Sequence, residues 1–232
     1  MIFQLVSDDS LLFEGGSRKK CFSVIRWSIE VMRIIAGRYK RQKLQINPGL
    51  TTRPIVDRAK QKLFDRLESD LENAKVLDVF SGTGSMGLES LSRGASTCVF
   101  IERDHRAHEL LRENVAQLKV EEETMCWRTD AIRCSYRPKG LPQFVPFDVI
   151  FFDPPYEMAR GELKANTKLY QALQRLACDT VSSPTALLVL RIPEKLEPEV
   201  PEVWFRTELE IAVGSMRIRF YEKGLASKED ES

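Results

Sequence analysis

The sequence predicts an α/β fold built on a doubly wound, mostly parallel sheet, and three observations carry that prediction. Short apolar runs alternate with segments of helical spacing from residue 75 to residue 192. One run, FDVIFFD at 147–153, is apolar almost throughout, as in a strand covered on both faces. The chain then closes on two longer strand-like segments, 203–213 and 216–222, separated by a Gly-Ser turn. They read as an antiparallel hairpin at one part of the sheet.

Residues 1–31 look different from the rest of the chain and form an N-terminal arm, expected to be disordered or dispensable. Met32 is followed at once by RIIAG, a strand start, so the compact fold is expected to begin there. Residues 32–46 alternate apolar and polar around Gly37, which predicts a small hairpin. NPGLTTRPIVDR is a loop punctuated by proline and glycine. Ile55, Ala59, Leu63 and Leu67 then recur at helical spacing over 55–70. Together, 32–72 make a basic extension.

The main domain, 73–223, is built of strand and helix in turn. Strands are predicted at 75–80, 97–102, 125–130, 147–153 and 186–192, with helices at 85–94, 104–118 and 166–180. Gly94 stops the first of these helices. Residues 224–232 are a polar tail ending KEDES.

The 232 residues suffice for one large domain with a real core. A hydrophobic fraction of 43% and a charged fraction of 30% are ordinary for a soluble protein. No run approaches the ~18 apolar residues of a membrane span. The opening MIFQLVSDDSLLFEGG has acids where a secretory signal needs bases. The five cysteines are odd in number and none form a Cys-x-x-Cys pair, which points away from disulfides and zinc and toward a reducing cytoplasm. His105 and His108 are spaced for a metal on a helix, but no third ligand is evident, so no metal is expected. Trp27, Trp127, Trp204, Cys98 and Cys126 read as packing residues.

The formal net charge of +1 is unevenly spread. Between Arg33 and Arg66 ten Lys/Arg face two acids, Asp57 and Asp65, a local excess of eight. Such an excess attracts a phosphate backbone. Arg33, Arg38, Lys40, Arg41, Lys43, Arg53 and Arg58 are the expected RNA-binding side chains.

The segment DVFSGTGSMG joins the first strand of the main domain to its helix, with Gly82 and Gly84 where the backbone must approach a ligand without a Cβ in the way. Alone, this glycine spacing is equally at home in nicotinamide enzymes. Its surroundings decide otherwise. Asp78 sits at the strand end, four residues before Gly82, where a pyrophosphate is unwelcome but a sulfonium cofactor with a free amino group is tolerated. Glu102, 20 residues after Gly82, ends the second strand, where an acid can bond ribose hydroxyls. Asp130 is expected at the end of the third strand, in reach of an adenine amino group. Phe80 and Ala131 complete the expected cofactor set.

Asp153-Pro154-Pro155-Tyr156 comes after the apolar strand, at the carboxyl edge where ligands bind in such sheets. An exocyclic amino group on a base is a poor nucleophile, because its lone pair delocalises into the ring. Asp153 and the Pro154 carbonyl can each accept one of its N–H bonds and free that pair. Successive prolines hold the carbonyl in place beforehand. Tyr156 offers a flat face for a flipped-out base. With no cysteine or histidine in this loop, direct transfer to nitrogen is expected, without a covalent enzyme intermediate or metal.

The chain resembles the bacterial 16S rRNA guanine-N2 methyltransferase family, RsmD type. The likeness rests on MRIIAGRYKRQKL (32–44), RPIVDRAKQKLF (53–64), VLDVFSGTGSMGLESLSRGA (76–95), FDVIFFDPPY (147–156) and GSMRIRFY (214–221), over roughly 32–222. The first two segments are the specific ones; the cofactor loop and DPPY occur in many methyltransferases. The resemblance implies a Rossmann-like class I methyltransferase fold with a seven-stranded sheet. It also implies S-adenosylmethionine as donor and 16S rRNA, in the small ribosomal subunit, as acceptor. A cytoplasmic monomer with no protein partner is expected. Two positions depart from the family pattern: Gln61, where Glu is frequent, and Arg191-Ile-Pro, where an acid often comes after the fifth strand.

Two other function classes fit parts of the pattern. A DNA methyltransferase for adenine N6 or cytosine N4 shares the glycine loop and DPPY. However, 75 positions from Asp78 to Asp153 leave little room for a target-recognition region. A non-catalytic RNA-binding protein of the same fold would not need both loops intact, and a cofactor titration separates it from an enzyme. A nicotinamide dehydrogenase is disfavoured by Asp78.

Overall fold

The computed structural model describes residues 32–46 and 57–224. The predicted arm, the loop carrying Arg53, Trp27 and the polar tail lie outside the described residues.

Seven strands form one sheet in the order β3-β2-β1-β4-β5-β7-β6. They are β1 (Lys75–Val79), β2 (Thr97–Ile101), β3 (Thr124–Trp127), β4 (Phe147–Phe152), β5 (Ser182–Pro193), β6 (Trp204–Val213) and β7 (Met216–Lys223). The first five run parallel; β7 is antiparallel to β5 and β6. The α/β class, the parallel sheet and the closing hairpin are therefore as the sequence predicts.

The strands are short apolar runs because both faces are covered. Val76 of β1, Cys98 and Phe100 of β2, Phe151 of β4 and Val189 of β5 face one cluster, whereas Leu77, Val99, Ile150 and Leu188 face the other. With period-two alternation feeding two cores, every position must be apolar. Asp78, on the same face as Val76, is the exception inside β1.

The helices are α1 (Asp57–Arg66), α2 (Glu68–Leu71), α3 (Ser85–Ser92), α4 (His105–Leu118), α5 (Tyr156–Glu162) and α6 (Lys168–Leu176). Leu63 and Phe64 of α1, Leu71 of α2, Leu88 of α3 and Leu111 of α4 fill one cluster. Ala159 of α5 and Leu169 and Leu173 of α6 fill the other. The predicted helix 55–70 is two helices, 57–66 and 68–71. The predicted helix 166–180 is shorter, and β5 begins four residues before the predicted start.

The small hairpin at 32–46 pairs Arg33 with Lys43 and is closed by backbone bonds from Ile34 N to Gln42 O, Arg41 N to Ile34 O and Leu44 N to Met32 O, each 2.9 Å. It docks on the end of α3: the Arg38 amide donates to the Ser92 carbonyl (2.8 Å) and the Tyr39 amide to Ser92 Oγ (3.0 Å). An orphan carbonyl of the helix end is thus satisfied by the hairpin. Gly37, at φ +81, makes this approach possible, since a Cβ there would lie 1.8 Å from Ser92 O.

Beneath the hairpin, Lys60 and Glu89 form a buried ion pair at 3.0 Å, with side chains 2% and 0% exposed. Glu89 also accepts the Ile35 and Ala36 amides (2.8 and 3.0 Å) and Arg93 Nε (2.9 Å). Burial opposes its ionisation, but Lys60, the Ile35 amide and Arg93 outweigh that and hold the carboxyl below its usual range. Lys60 also donates to Ser85 Oγ (3.1 Å), at the start of α3. Removing one partner of such a pair costs about 3–5 kcal/mol, because the other is left buried and charged. Lys60 is therefore no part of the solvated basic surface counted from the sequence.

Candidate functional site

The carboxyl ends of the parallel strands meet at one edge. The last paired residues, Val79, Ile101, Phe152 and Leu190, are in register across β1, β2, β4 and β5. One residue further on lie Phe80, Glu102, Asp153 and Arg191. Strand order reverses between β1 and β4, the place where open α/β sheets form their ligand crevice.

At β1 the backbone turns sharply. Phe80 has φ +62, Gly82 +56 and Gly84 +86. Phe80 packs edge-on to Phe152, with ring centroids 5.3 Å apart. A Cβ on Gly82 would meet nothing within 4 Å, so the space above it is open. The Gly82 amide donates to Glu102 Oε2 at 2.8 Å, and the Asp104 amide to Oε1 at 2.7 Å. Burial raises the Glu102 carboxyl above its ordinary range, against the pull of these amides. Each oxygen keeps a lone pair for a hydroxyl.

Asp78 is only 2% exposed. Its Oδ2 accepts the Gly87 amide at 3.0 Å, and Oδ1 accepts nothing from the described residues. Burial pushes its pKa up to about 7, aided by the charges of Asp153 and Glu102 and opposed by the Gly87 amide. A buried carboxylate with a vacant oxygen beneath a glycine turn suits a cationic group. This donor set, with the open space above Gly82, fits a sulfonium cofactor carrying an ammonium.

Asp130 is not the end of β3. That strand stops at Trp127, and Asp130 lies in the turn beyond it, its Oδ1 accepting the Ile132 amide at 2.9 Å. Thr129 and Asp130 are polar, and the Asp side chain bonds its own turn instead of continuing the ladder. The Ala131 carbonyl is taken by the hydroxyl of Tyr136, a buried residue that the sequence pattern does not single out.

Directly after β4, Asp153 Oδ1 accepts Arg191 Nε at 2.8 Å. Oδ2 accepts no bond from the described residues. Burial raises the Asp153 carboxyl and Arg191 opposes it. Pro154 and Pro155 lead directly into α5, a helix missing from the sequence prediction, in which the prolines count as plain loop. The Pro155 carbonyl accepts the first helical bond, from Ala159 (2.9 Å), leaving Pro154 ahead of the helix. Tyr156 opens α5. The Arg160 guanidinium lies 4.4 Å from its ring centroid and donates to its hydroxyl at 2.9 Å. One ring face is backed, and the pair sits at the i,i+4 spacing of a helix.

The basic residues divide. Arg33, Lys40, Arg41 and Arg58 line an open crevice with Ile34, Ile35, Asp57 and Gln61. Arg33 is paired with Asp57 at 2.7 Å. Arg38 is paired with Glu123 and stacked on Tyr39 and does not line the crevice. Lys43 is exposed, and its carbonyl accepts Gln117 Nε2 at 2.8 Å. Among the described residues no group of three or more His, Cys, Asp or Glu is placed to hold a metal, and no helix is long and apolar enough to cross a membrane. His105 pairs with Glu109 (3.4 Å), and His108 Nε2 lies 3.3 Å from the Cys126 carbonyl.

Residues 32–222 match the family model described as Conserved hypothetical protein 95. The chain belongs to this family. The match begins and ends where the resemblance in sequence does. The chain is 32% identical to ribosomal RNA small subunit methyltransferase D of Haemophilus influenzae, over 82% of its length and 93% of the relative's. It is 31% identical to the protein of that name from Escherichia coli K12, over 86% and 93%. A solved structure titled a putative methyltransferase from Escherichia coli superposes with a TM-score of 0.69 at 28% identity, over 84% of this chain and 99% of that one. Membership in the Conserved hypothetical protein 95 family places the glycine loop, DPPY and basic extension in one recurring unit.

Proposed function

We propose that the protein transfers a methyl group from S-adenosylmethionine to an exocyclic amino nitrogen of an RNA base, guanine N2 of 16S rRNA in the small ribosomal subunit. The observation that carries this reading is Asp153, a carboxylate with one oxygen vacant, at the end of β4 beside the glycine turn of β1. The names of the relatives supply the RNA class.

Glu102 would hold the cofactor's ribose hydroxyls, Asp130 and Ala131 its adenine, and Asp78 its ammonium, with Phe80, Gly82 and Gly84 shaping the turn around it. When bound, the cofactor supplies an electrophilic methyl group. Asp153 Oδ2 and the Pro154 carbonyl accept the acceptor amine's two N–H bonds and pull its lone pair out of the ring. Tyr156 stacks on the base through the face that Arg160 leaves open. The crevice of Arg33, Lys40, Arg41 and Arg58 takes RNA phosphates, with Arg38 and Lys43 of the hairpin, and Arg53, as further RNA-binding side chains.

Deleting the gene and mapping methyl groups by mass spectrometry tests the reading. Loss of one N2-methylguanosine from 16S rRNA, restored by the wild-type gene, is expected. Unchanged rRNA, or loss of a methylated adenine or cytosine from genomic DNA, overturns it.

A further inference from the structure

We propose that Arg191 is a positioning residue for the methyl-transfer step: through its 2.8 Å bond to Asp153 Oδ1 it keeps that carboxylate charged and turned so that Oδ2 meets the acceptor amine. The inference rests on the assignment of Asp153 to the acceptor nitrogen.

The surroundings of Asp153 give the pair its purpose. Among the described residues the cavity it lines is otherwise walled by Leu63 of α1, Met86 of α3, Phe151 of β4, Val189 of β5 and Ile218 of β7, with Arg191 the one cation of that lining. Apolar walls disfavour a charged carboxylate. Asp78, on the neighbouring β1, adds a second negative group, and the two carboxyls interact. Two further cations among the described residues are committed elsewhere. Lys60 of α1 is held by Glu89 and Ser85, and Arg160 of α5 by the Tyr156 ring and hydroxyl. Glu102, directly after β2, adds a further negative group near Asp78. Without Arg191, nothing recorded at Asp153 opposes the burial that raises its carboxyl, and the protonated form gains ground. A protonated carboxyl has an O–H where the reaction needs an acceptor.

Geometry adds orientation to charge. β5 lies directly beside β4, and Arg191 comes directly after Leu190, the register partner of Phe152. The bond therefore joins the residue just past β4 to a residue inside β5. The Arg191 side chain is 15% exposed, which limits its freedom to swing away. With Nε on Oδ1, Oδ2 is the remaining acceptor. Arginine's planar fork fixes this arrangement better than a lysine ammonium does.

The test is single-turnover methylation of small-subunit particles lacking the modification, at saturating S-adenosylmethionine and from pH 5.5 to 9. The wild type, Arg191→Met, Arg191→Gln, Arg191→Lys and Asp153→Asn are compared. Removing the cation should move the acidic limb of the rate profile to higher pH by about 1 unit or more, and lower the plateau. Arg191→Lys should return the limb toward the wild-type position while the plateau stays low. Arg191→Gln keeps a neutral donor and gives the same reading if Arg191→Met destabilises the strand. A limb that coincides with wild type in the neutral variants, with Asp153→Asn inactive, overturns the role of Arg191 alone. An active Asp153→Asn overturns the assignment of Asp153 beneath it.

Discussion

The backbone amide of Gly82 and the carboxylate of Glu102 are joined at 2.8 Å, tying the turn after β1 to the end of β2. The same side chain holds the Asp104 amide, so one residue shapes both turns. Glu102→Ala should weaken S-adenosylmethionine binding by about 1–3 kcal/mol, the cost of lost bonds to a charged group. Isothermal calorimetry reads this directly, and an unchanged Kd takes Glu102 out of the site.

Asp78 should make the cofactor-free protein less stable as pH rises. Its pKa is about 7 in the fold, against an ordinary 3.8. Between those values the native state keeps a proton that the unfolded chain has released. Stability therefore falls as pH climbs from about 4 to about 7 and is flat above, by at most about 4 kcal/mol. Asp78→Asn removes this contribution while still able to accept the Gly87 amide. Its melting temperature should exceed wild type at pH 8 and converge with it near pH 4. Equal melting curves at pH 8 would show that Asp78 is not strained by burial.

Tyr156 should act through its ring. Tyr156→Phe keeps the face opposite Arg160 and should retain most activity. Tyr156→Ala should lose about 1–3 kcal/mol of base stacking, seen as a drop in kcat/KM on small-subunit particles with unchanged cofactor affinity. Equal rates for the two variants would remove the stacking role.

The crevice at the extension predicts unequal effects among the basic residues. Replacing Lys40, Arg41 and Arg58 together with glutamine should flatten the salt dependence of RNA binding by about one unit of slope for each phosphate no longer neutralised. Cofactor affinity should not change. Arg38→Gln alone should have a smaller effect, because Arg38 is engaged by Glu123 and Tyr39. A slope as steep as wild type in the triple variant places the RNA elsewhere.

A chain beginning at Met32 should keep the melting temperature and methylation rate of the full chain. The family match starts at Met32, and the residues from Met32 onward form a compact unit of their own. A clear loss of either property would make residues 1–31 part of the working protein.

The sheet is readable from the chain because strands buried on two faces must be apolar throughout, as FDVIFF is. The glycine turn and DPPY are readable because their spacing is local. Local rules also mislead. Asp130 reads as a strand end, yet its side chain caps a turn three residues past Trp127. Pro155 reads as loop, yet proline is well suited to the residues that open a helix, and Tyr156 with Arg160 at i,i+4 carries that signal. What sequence does not supply is pairing between distant positions. Glu89 under Lys60, Glu123 on Arg38 and Asp153 on Arg191 meet only after the sheet is assembled. Arg191 stands out in the sequence as a departure from the family pattern, without a partner to explain it.

Helix α3 is eight residues long and has obligations at both ends. Its first turn adjoins the glycine loop, its middle carries Glu89, and its last carbonyl accepts the Arg38 amide. Under the proposed role of the hairpin in holding RNA, substrate recognition is therefore not a detachable cassette. A hairpin grafted from a distant relative would bring a foreign surface to the Ser92 end and disturb a helix whose other end borders the cofactor turn. Lineages altering their RNA target through this segment must change α3 with it, so the two stretches should drift together as one inherited block.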